Sequence, residues 1–262
     1  MGILQVIADG AKLVSKEGLT RNGLILWLGP ILTTSYCLIV VVLLWLDRQG
    51  MEYTLFPILV GALTALSHMG TTITGYLTDD SGPWSRLGAK RGLNMYLTYD
   101  LGILLVWCCI LPTNSSSLTS IMNYSDRSGI MNVATSPLVY LMYFIFLLAE
   151  SGRVPFDLAE AESELISGFN TEYKGLAYGI YAACEYTTML VGITVITMVA
   201  FGSTNLIMLL GQGGIILTVI VNLRAASPRI RLVGATTLMW TGLVPGLIAH
   251  LSLITLTASL QN

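Results

Sequence analysis

The run Cys37-Leu-Ile-Val-Val-Val-Leu-Leu-Trp-Leu46 decides the fold. It is apolar at every position, so it lacks the alternation of a half-buried strand and outlasts the usual buried one. Traced backwards, the uncharged stretch continues to Leu24, which makes it long enough for a helix to cross a hydrocarbon core about 30 Å thick. Six further stretches meet the same test: Thr54–Leu77, Leu93–Pro112, Asn132–Ala149, Leu176–Phe201, Asn205–Leu223 and Ala235–Ala258. A membrane β-barrel would need segments of about ten residues with a dyad repeat, which these are not. The expected architecture is therefore all-α, a single polytopic bundle of about seven transmembrane helices over residues 1–262. The glycines at Gly61 and at 211–214 suit close helix packing.

Composition agrees. Of 262 residues, 54% are hydrophobic and 11% charged, and the mean hydropathy is +0.72. A soluble domain carries about 25% charged residues. The net charge of −2 argues against nucleic acid as a partner, because phosphate binding needs a basic excess. Cys37, Cys108, Cys109 and Cys184 lie inside apolar runs, without the spacing of a disulfide framework, a zinc site or an iron–sulfur site. No metal site is expected.

Residues 2–17 place Ile3, Val6, Ile7, Gly10, Ala11, Leu13 and Val14 on one helical stripe, with Asp9, Lys12, Ser15 and Lys16 outside it. That pattern predicts an amphipathic helix on the membrane surface. It has neither the basic start nor the cleavage site of a secretory signal. With seven spans, the N-terminal segment and the connections 78–92, 150–175 and 224–234 share one side of the membrane. That side holds every Lys and Arg except Arg48 and Arg127. The basic side is the cytoplasmic or matrix side.

Function-bearing residues gather on that side. The connection from Glu150 to Gly175 is far longer than ordinary loops. It reads Glu150-Ser-Gly-Arg-Val-Pro-Phe-Asp-Leu-Ala-Glu-Ala-Glu-Ser-Glu-Leu-Ile-Ser-Gly-Phe-Asn-Thr-Glu-Tyr-Lys-Gly175. Its acids Glu150, Asp157, Glu160, Glu162, Glu164 and Glu172 alternate with Phe156, Leu158, Leu165, Ile166 and Phe169, which suits a folded acidic lining better than a solvated face. Arg153 is the only base between Glu150 and Glu172 and is expected to pair with neighbouring acids. Asp100 and Glu185 lie inside spans, on the order of 10–14 Å below the basic surface at 1.5 Å per residue. Ionisable groups at that depth face a cavity, a pathway or a partner charge. With no Lys or Arg in any span interior, Asp100 and Glu185 are expected to lack a basic partner. His68 reaches a similar depth and could join them. All these groups enter from one side and stop near the middle, as in a pocket rather than an open pore. The chain has no dinucleotide or phosphate-loop motif.

From Ala149 to Tyr173 the chain closely resembles one family, the quinone-chamber membrane subunit of respiratory complex I, subunit 1 of NADH:ubiquinone oxidoreductase. The pattern Ala-Glu-x-x-Arg-x-Pro-Phe-Asp-Leu-x-Glu-x-Glu-Ser-Glu-Leu-x-Ser-Gly-Phe-Asn-x-Glu-Tyr is met in full. Further matches are Gly2-Ile-Leu-Gln5, Gly88-Ala-Lys-Arg91, Tyr99-Asp100, Glu185-Tyr186 and the arginines Arg224, Arg229 and Arg231. The resemblance implies a quinone tunnel whose wall is the loop 150–175, with Arg153, Phe156, Asp157, Glu160, Glu162, Glu164 and Phe169 toward the quinone. It also implies proton transfer by Asp100, Glu150 and Glu185. Ubiquinone would be substrate, while NAD, FMN and iron–sulfur clusters would reside in partner subunits. The implied surroundings are the other complex I subunits and lipids, in the mitochondrial inner membrane or, alternatively, a bacterial plasma membrane. The family has eight membrane helices. Its first is not matched here, so a separate single-helix chain is expected beside residues 2–20. Asp100, Met95 and Val233 stand where the family usually has Glu, Gln and Asp. A membrane-bound hydrogenase subunit, a secondary cation transporter and a passive scaffold are the competing readings. The hydrogenases share mainly the Arg-x-Pro-Phe-Asp piece, a transporter should show internal repeats, and a scaffold leaves Asp100 and Glu185 unexplained.

Overall fold

The computed structural model describes residues 5–16, 23–48, 56–77, 82–114, 132–158, 168–173, 175–202 and 205–261. Among them there is no strand. The helices are α1 (Gln5–Ser15), α2 (Gly23–Arg48), α3 (Phe56–Leu77), α4 (Pro83–Asn114), α5 (Asn132–Thr135), α6 (Pro137–Glu150), α7 (Leu176–Phe201), α8 (Leu206–Ala226), α9 (Leu232–Thr237) and α10 (Val244–Gln261). A π-helical turn, Leu238–Leu243, joins α9 to α10 as one rod. Six helices among the described residues are long and apolar enough to cross a membrane, and α6 is a shorter apolar helix. With α6 counted, each of the seven expected spans is a helix.

The main departure is α4, which begins ten residues before the expected Leu93 and carries Arg86, Lys90 and Arg91 on the helix itself. Pro83 at its start explains this: proline suits the first helical turn, and nothing between it and Leu93 breaks the helix. The expected span from Asn132 divides at Ser136-Pro137, because Pro137 cannot continue the helix of α5 but can start that of α6.

Backbone and hydroxyl groups are satisfied locally, as apolar surroundings demand. In α2, Pro30 lies inside the helix, and the Thr33 hydroxyl donates to the carbonyls of Gly29 and Pro30 at 3.2 and 3.0 Å. Thr64, Thr71, Thr74, Thr98, Thr188 and Thr194 likewise donate to carbonyls three residues back. Such bonds let hydroxyls sit in a helix that water does not reach.

Helices α4 and α6 form the centre, where Tyr99, Ile103, Trp107, Phe146 and Leu147 are almost fully buried. Close approach depends on small residues. Gly102 faces the Phe146 ring, Gly61 faces Leu104, and Gly192 leaves room for Leu147. The glycines of α8 divide: a Cβ on Gly213 would meet Ile193 and Thr197 of α7, as expected, whereas nothing lies within 4 Å of where a Cβ on Gly211 or Gly214 would be. Their helix presents Leu206, Ile207, Met208 and Leu210 outward, so Gly211 and Gly214 are not packing contacts within the described residues of this chain. Helix α1 packs on α7, with Leu13 over Gly179. Leu13 is half-buried and Val14, on the same predicted stripe, is 67% exposed.

Candidate functional site

Two carboxylates that the sequence left without bases acquire them from outside their own helices. The chain leaves α6 at Glu150, turns through Gly152 at φ +60°, and presents Arg153 to α7. Its guanidinium donates to the Glu185 carboxylate at 3.1 Å and lies 4.8 Å from the centre of the Tyr186 ring. The first contact is charge-assisted and the second is a cation–π contact, so one turn of α7 fixes Arg153 twice. Arg153 thus does pair with an acid, but across the tertiary fold rather than along its own loop.

The loop start is anchored a second time. Arg229, just after α8, donates to Asp157 at 2.6 Å, and the Ile230 amide donates to the Pro155 carbonyl at 3.0 Å. Phe156 turns away from these charges and is buried with its ring edge against Tyr99, 5.9 Å between centres. Apolar Phe156 and charged Asp157 therefore point to opposite sides of one short stretch.

Between the loop, α7 and the chain after α8 lies a polar cavity of about 320 Å³, lined by Arg153, Asp157, Asn170, Tyr178, Glu185, Tyr186, Arg224 and Arg229 among others. Oδ1 of Asp157 and Oδ1 of Asn170 are buried without a hydrogen-bond partner among the described residues. Both residues line this cavity, so it offers acceptors as well as cationic donors.

Behind it a smaller cavity of about 30 Å³ is lined by Thr33, Ser67, His68, Thr71, Tyr96, Glu150, Tyr181 and Glu185 among others. Glu185 lines both spaces. His68 Nδ1 lies 2.9 Å from Asp100 Oδ1, and the imidazole stacks on Tyr96 with 4.4 Å between centres. Asp100 is 6% exposed. The expectation of interior acids without basic partners is thus corrected at both positions: Glu185 has Arg153, and Asp100 has His68.

The far end of the loop is held by Tyr173, whose hydroxyl is 2.9 Å from the Thr74 hydroxyl of α3 and whose ring stacks on Tyr181 at 4.7 Å. Burial pushes its phenol up to about 12 from the usual 10, with the Thr74 hydrogen bond acting the other way.

The structure thus gathers Glu150, Glu185, Arg153 and Asp157 around two adjoining cavities, with Asp100 joined to the smaller one through His68. Phe156 is set apart in the core. Glu160, Glu162 and Glu164, and the side chain of Phe169, lie outside the described residues. Sequence reasoning missed Asn170 as a lining group, and Arg224 and Arg229 as members of the site. The available signal for the arginines was topological: their connection falls on the same side as the acidic loop. Among the described residues no three of His, Cys, Asp and Glu gather as a metal ion would require.

The family model of NADH dehydrogenase matches residues 1–255. A subunit of the NADH-quinone oxidoreductase of Flavobacterium johnsoniae is 30% identical over 218 residues, which cover 78% of this chain and 62% of that protein. The chain therefore spans less than two thirds of the length of this relative. A match along nearly the whole chain, with a helical membrane bundle and an acidic site on its basic side, is decisive for kinship: the chain belongs to the NADH dehydrogenase family, as a member of the subunit 1 family of respiratory complex I.

Proposed function

We propose that this chain builds the membrane wall of a quinone-reaction chamber in an NADH:quinone oxidoreductase, and that Asp100, Glu150 and Glu185 move protons when quinone is reduced beside them. The observation that carries the reading is the sharing of Glu185 between the two cavities. A change of charge in the larger cavity acts directly on a carboxylate that also faces Glu150 and His68. In a site of low dielectric such an interaction is strong at short range.

In this reading the larger cavity is the part of the chamber that this chain contributes. Arg153 and Asp157 border it, and Phe156 wedges the loop onto the core. Glu160, Glu162, Glu164 and Phe169 would extend the same wall. Quinone is the substrate, and the electrons come from partner subunits that hold NAD, FMN and iron–sulfur clusters. This chain's residues orient the headgroup and supply or accept protons. Other complex I subunits and lipids complete the surroundings, and the mitochondrial inner membrane is the proposed location.

The test is Glu150→Gln in the assembled complex, reconstituted into vesicles. It keeps the shape and removes the proton. Quinone reduction and proton uptake should fall together, by roughly a hundredfold if a proton-transfer group has been lost. Normal pumping at the normal rate would remove the proton-transfer reading. A fall in pumping with full quinone turnover would place Glu150 outside the redox-coupled step.

A further inference from the structure

His68 stands between two spaces. On one side it lines the small cavity with Glu150 and Glu185. On the other, with Asp100, it borders a groove of about 190 Å³ between α3 and α4 whose walls are otherwise largely apolar, including Ala65, Met69, Leu97 and Leu101. Asp100 borders the groove and His68 borders both. The ring is held rigidly: Nδ1 is on the Asp100 carboxylate, one face is on Tyr96, which is one helical turn before Asp100, and the planes are within 7°. A histidine that merely fills space needs no carboxylate, and a carboxylate buried here could have been neutralised by protonation alone.

We propose that His68 is the relay through which a proton passes between the Glu150 cavity and Asp100, a role that rests on the proposed function and adds a residue to it. The cavity volume accommodates about one or two waters, enough to connect Glu150 to the ring. A proton released by the Glu150 carboxyl adds through that water to Nε2, giving imidazolium and the Glu150 carboxylate. The Nδ1 proton then passes to Asp100 Oδ1 across the 2.9 Å contact. This leaves a neutral Asp100 and an imidazole protonated at Nε2. Once Asp100 has given up its proton on the groove side, transfer of the ring proton from Nε2 to Nδ1 through water restores the starting tautomer. Each such cycle carries one proton from Glu150 past Asp100, with the stack on Tyr96 holding the ring in place.

His68→Asn and His68→Gln decide the question in the assembled complex in vesicles. An asparagine amide occupies nearly the position of Nδ1 and keeps a hydrogen bond to Asp100, but carries no proton onward. Glu150→Gln and Asp100→Asn are measured alongside. The relay predicts that His68→Asn lowers proton pumping at least about tenfold, and that adding His68→Asn to Asp100→Asn lowers it no further. It also predicts that the infrared carboxyl band lost in Asp100→Asn stops responding to quinone reduction in His68→Asn. Normal pumping in His68→Asn, with both acid variants impaired, overturns the relay and leaves the proposed function standing. Normal pumping in both acid variants overturns that function and the relay with it. Failure of both His68 variants to assemble makes the histidine structural and also overturns the relay.

Discussion

Arg153 holds the start of the acidic loop through two contacts of different kinds, an ion pair with Glu185 and a face contact with Tyr186. Arg153→Ala removes both and leaves Glu185 beside the cavity without that guanidinium. Quinone reduction per assembled complex should fall at least about tenfold, equivalent to about 1.4 kcal/mol of transition-state stabilisation. NADH oxidation by an artificial acceptor upstream serves as the measure of intact complex. Arg153→Lys should recover only part of the loss, since an ammonium cannot present a planar fork to the carboxylate and the ring together. The sequence marked Asp100 and Glu185 as deep, because depth follows from distance to the span end. It did not show their partners. Arg153 is 32 positions from Glu185 and His68 is 32 from Asp100, and no periodicity links residues on different helices.

Helix existence was legible because membrane spans state their length in their composition. Helix contacts were less so, since lipid-facing and core-facing positions are equally apolar. Gly102 and Gly211 look alike in sequence but occupy opposite situations. A Cβ at Gly102 would run into the Phe146 ring, whereas at Gly211 it would meet nothing within 4 Å. Gly102→Val should destabilise the α4–α6 contact by about 1–3 kcal/mol, the usual range for overpacking. Gly211→Ala should leave thermal stability in detergent unchanged or slightly raised, because alanine favours helix. A reversed order in their melting midpoints would contradict the packing described. The short segment ending at Tyr173 yields a pH prediction. Its phenol ionises near 10 when unfolded and near 12 in place. The unfolded chain therefore releases this proton first as pH rises. The contribution is intact below about pH 10 and is lost between about 10 and 12, about 3 kcal/mol at most. Tyr173→Phe should flatten that part of the alkaline melting curve, as differential ultraviolet titration of the two proteins would show.

At the scale of the molecule, the loop after α6 and the chain after α8 meet through Arg229–Asp157 and Ile230–Pro155. They must therefore lie at the same end of the bundle, as the two spans between them and the skew of basic residues require. Cysteines placed at Asn205 and Ser227, at the two ends of α8, should react with an impermeant reagent from opposite sides of a sealed vesicle, Ser227 from the matrix or cytoplasmic side. Labelling from one side would break the seven-span topology. That topology was readable because loop charge and span count are global sums, insensitive to individual contacts. The clamp between the two loops was not readable, and it bears on how the chain is made. Asp157 must wait for a residue 72 positions later, and α7 and α8 must both enter the membrane in between. A ribosome adding about 5–20 residues each second takes several seconds to deliver it. During that interval the acidic wall has no C-terminal brace, so truncation during synthesis should yield a chain that inserts its early spans but is open to protease within residues 151–158.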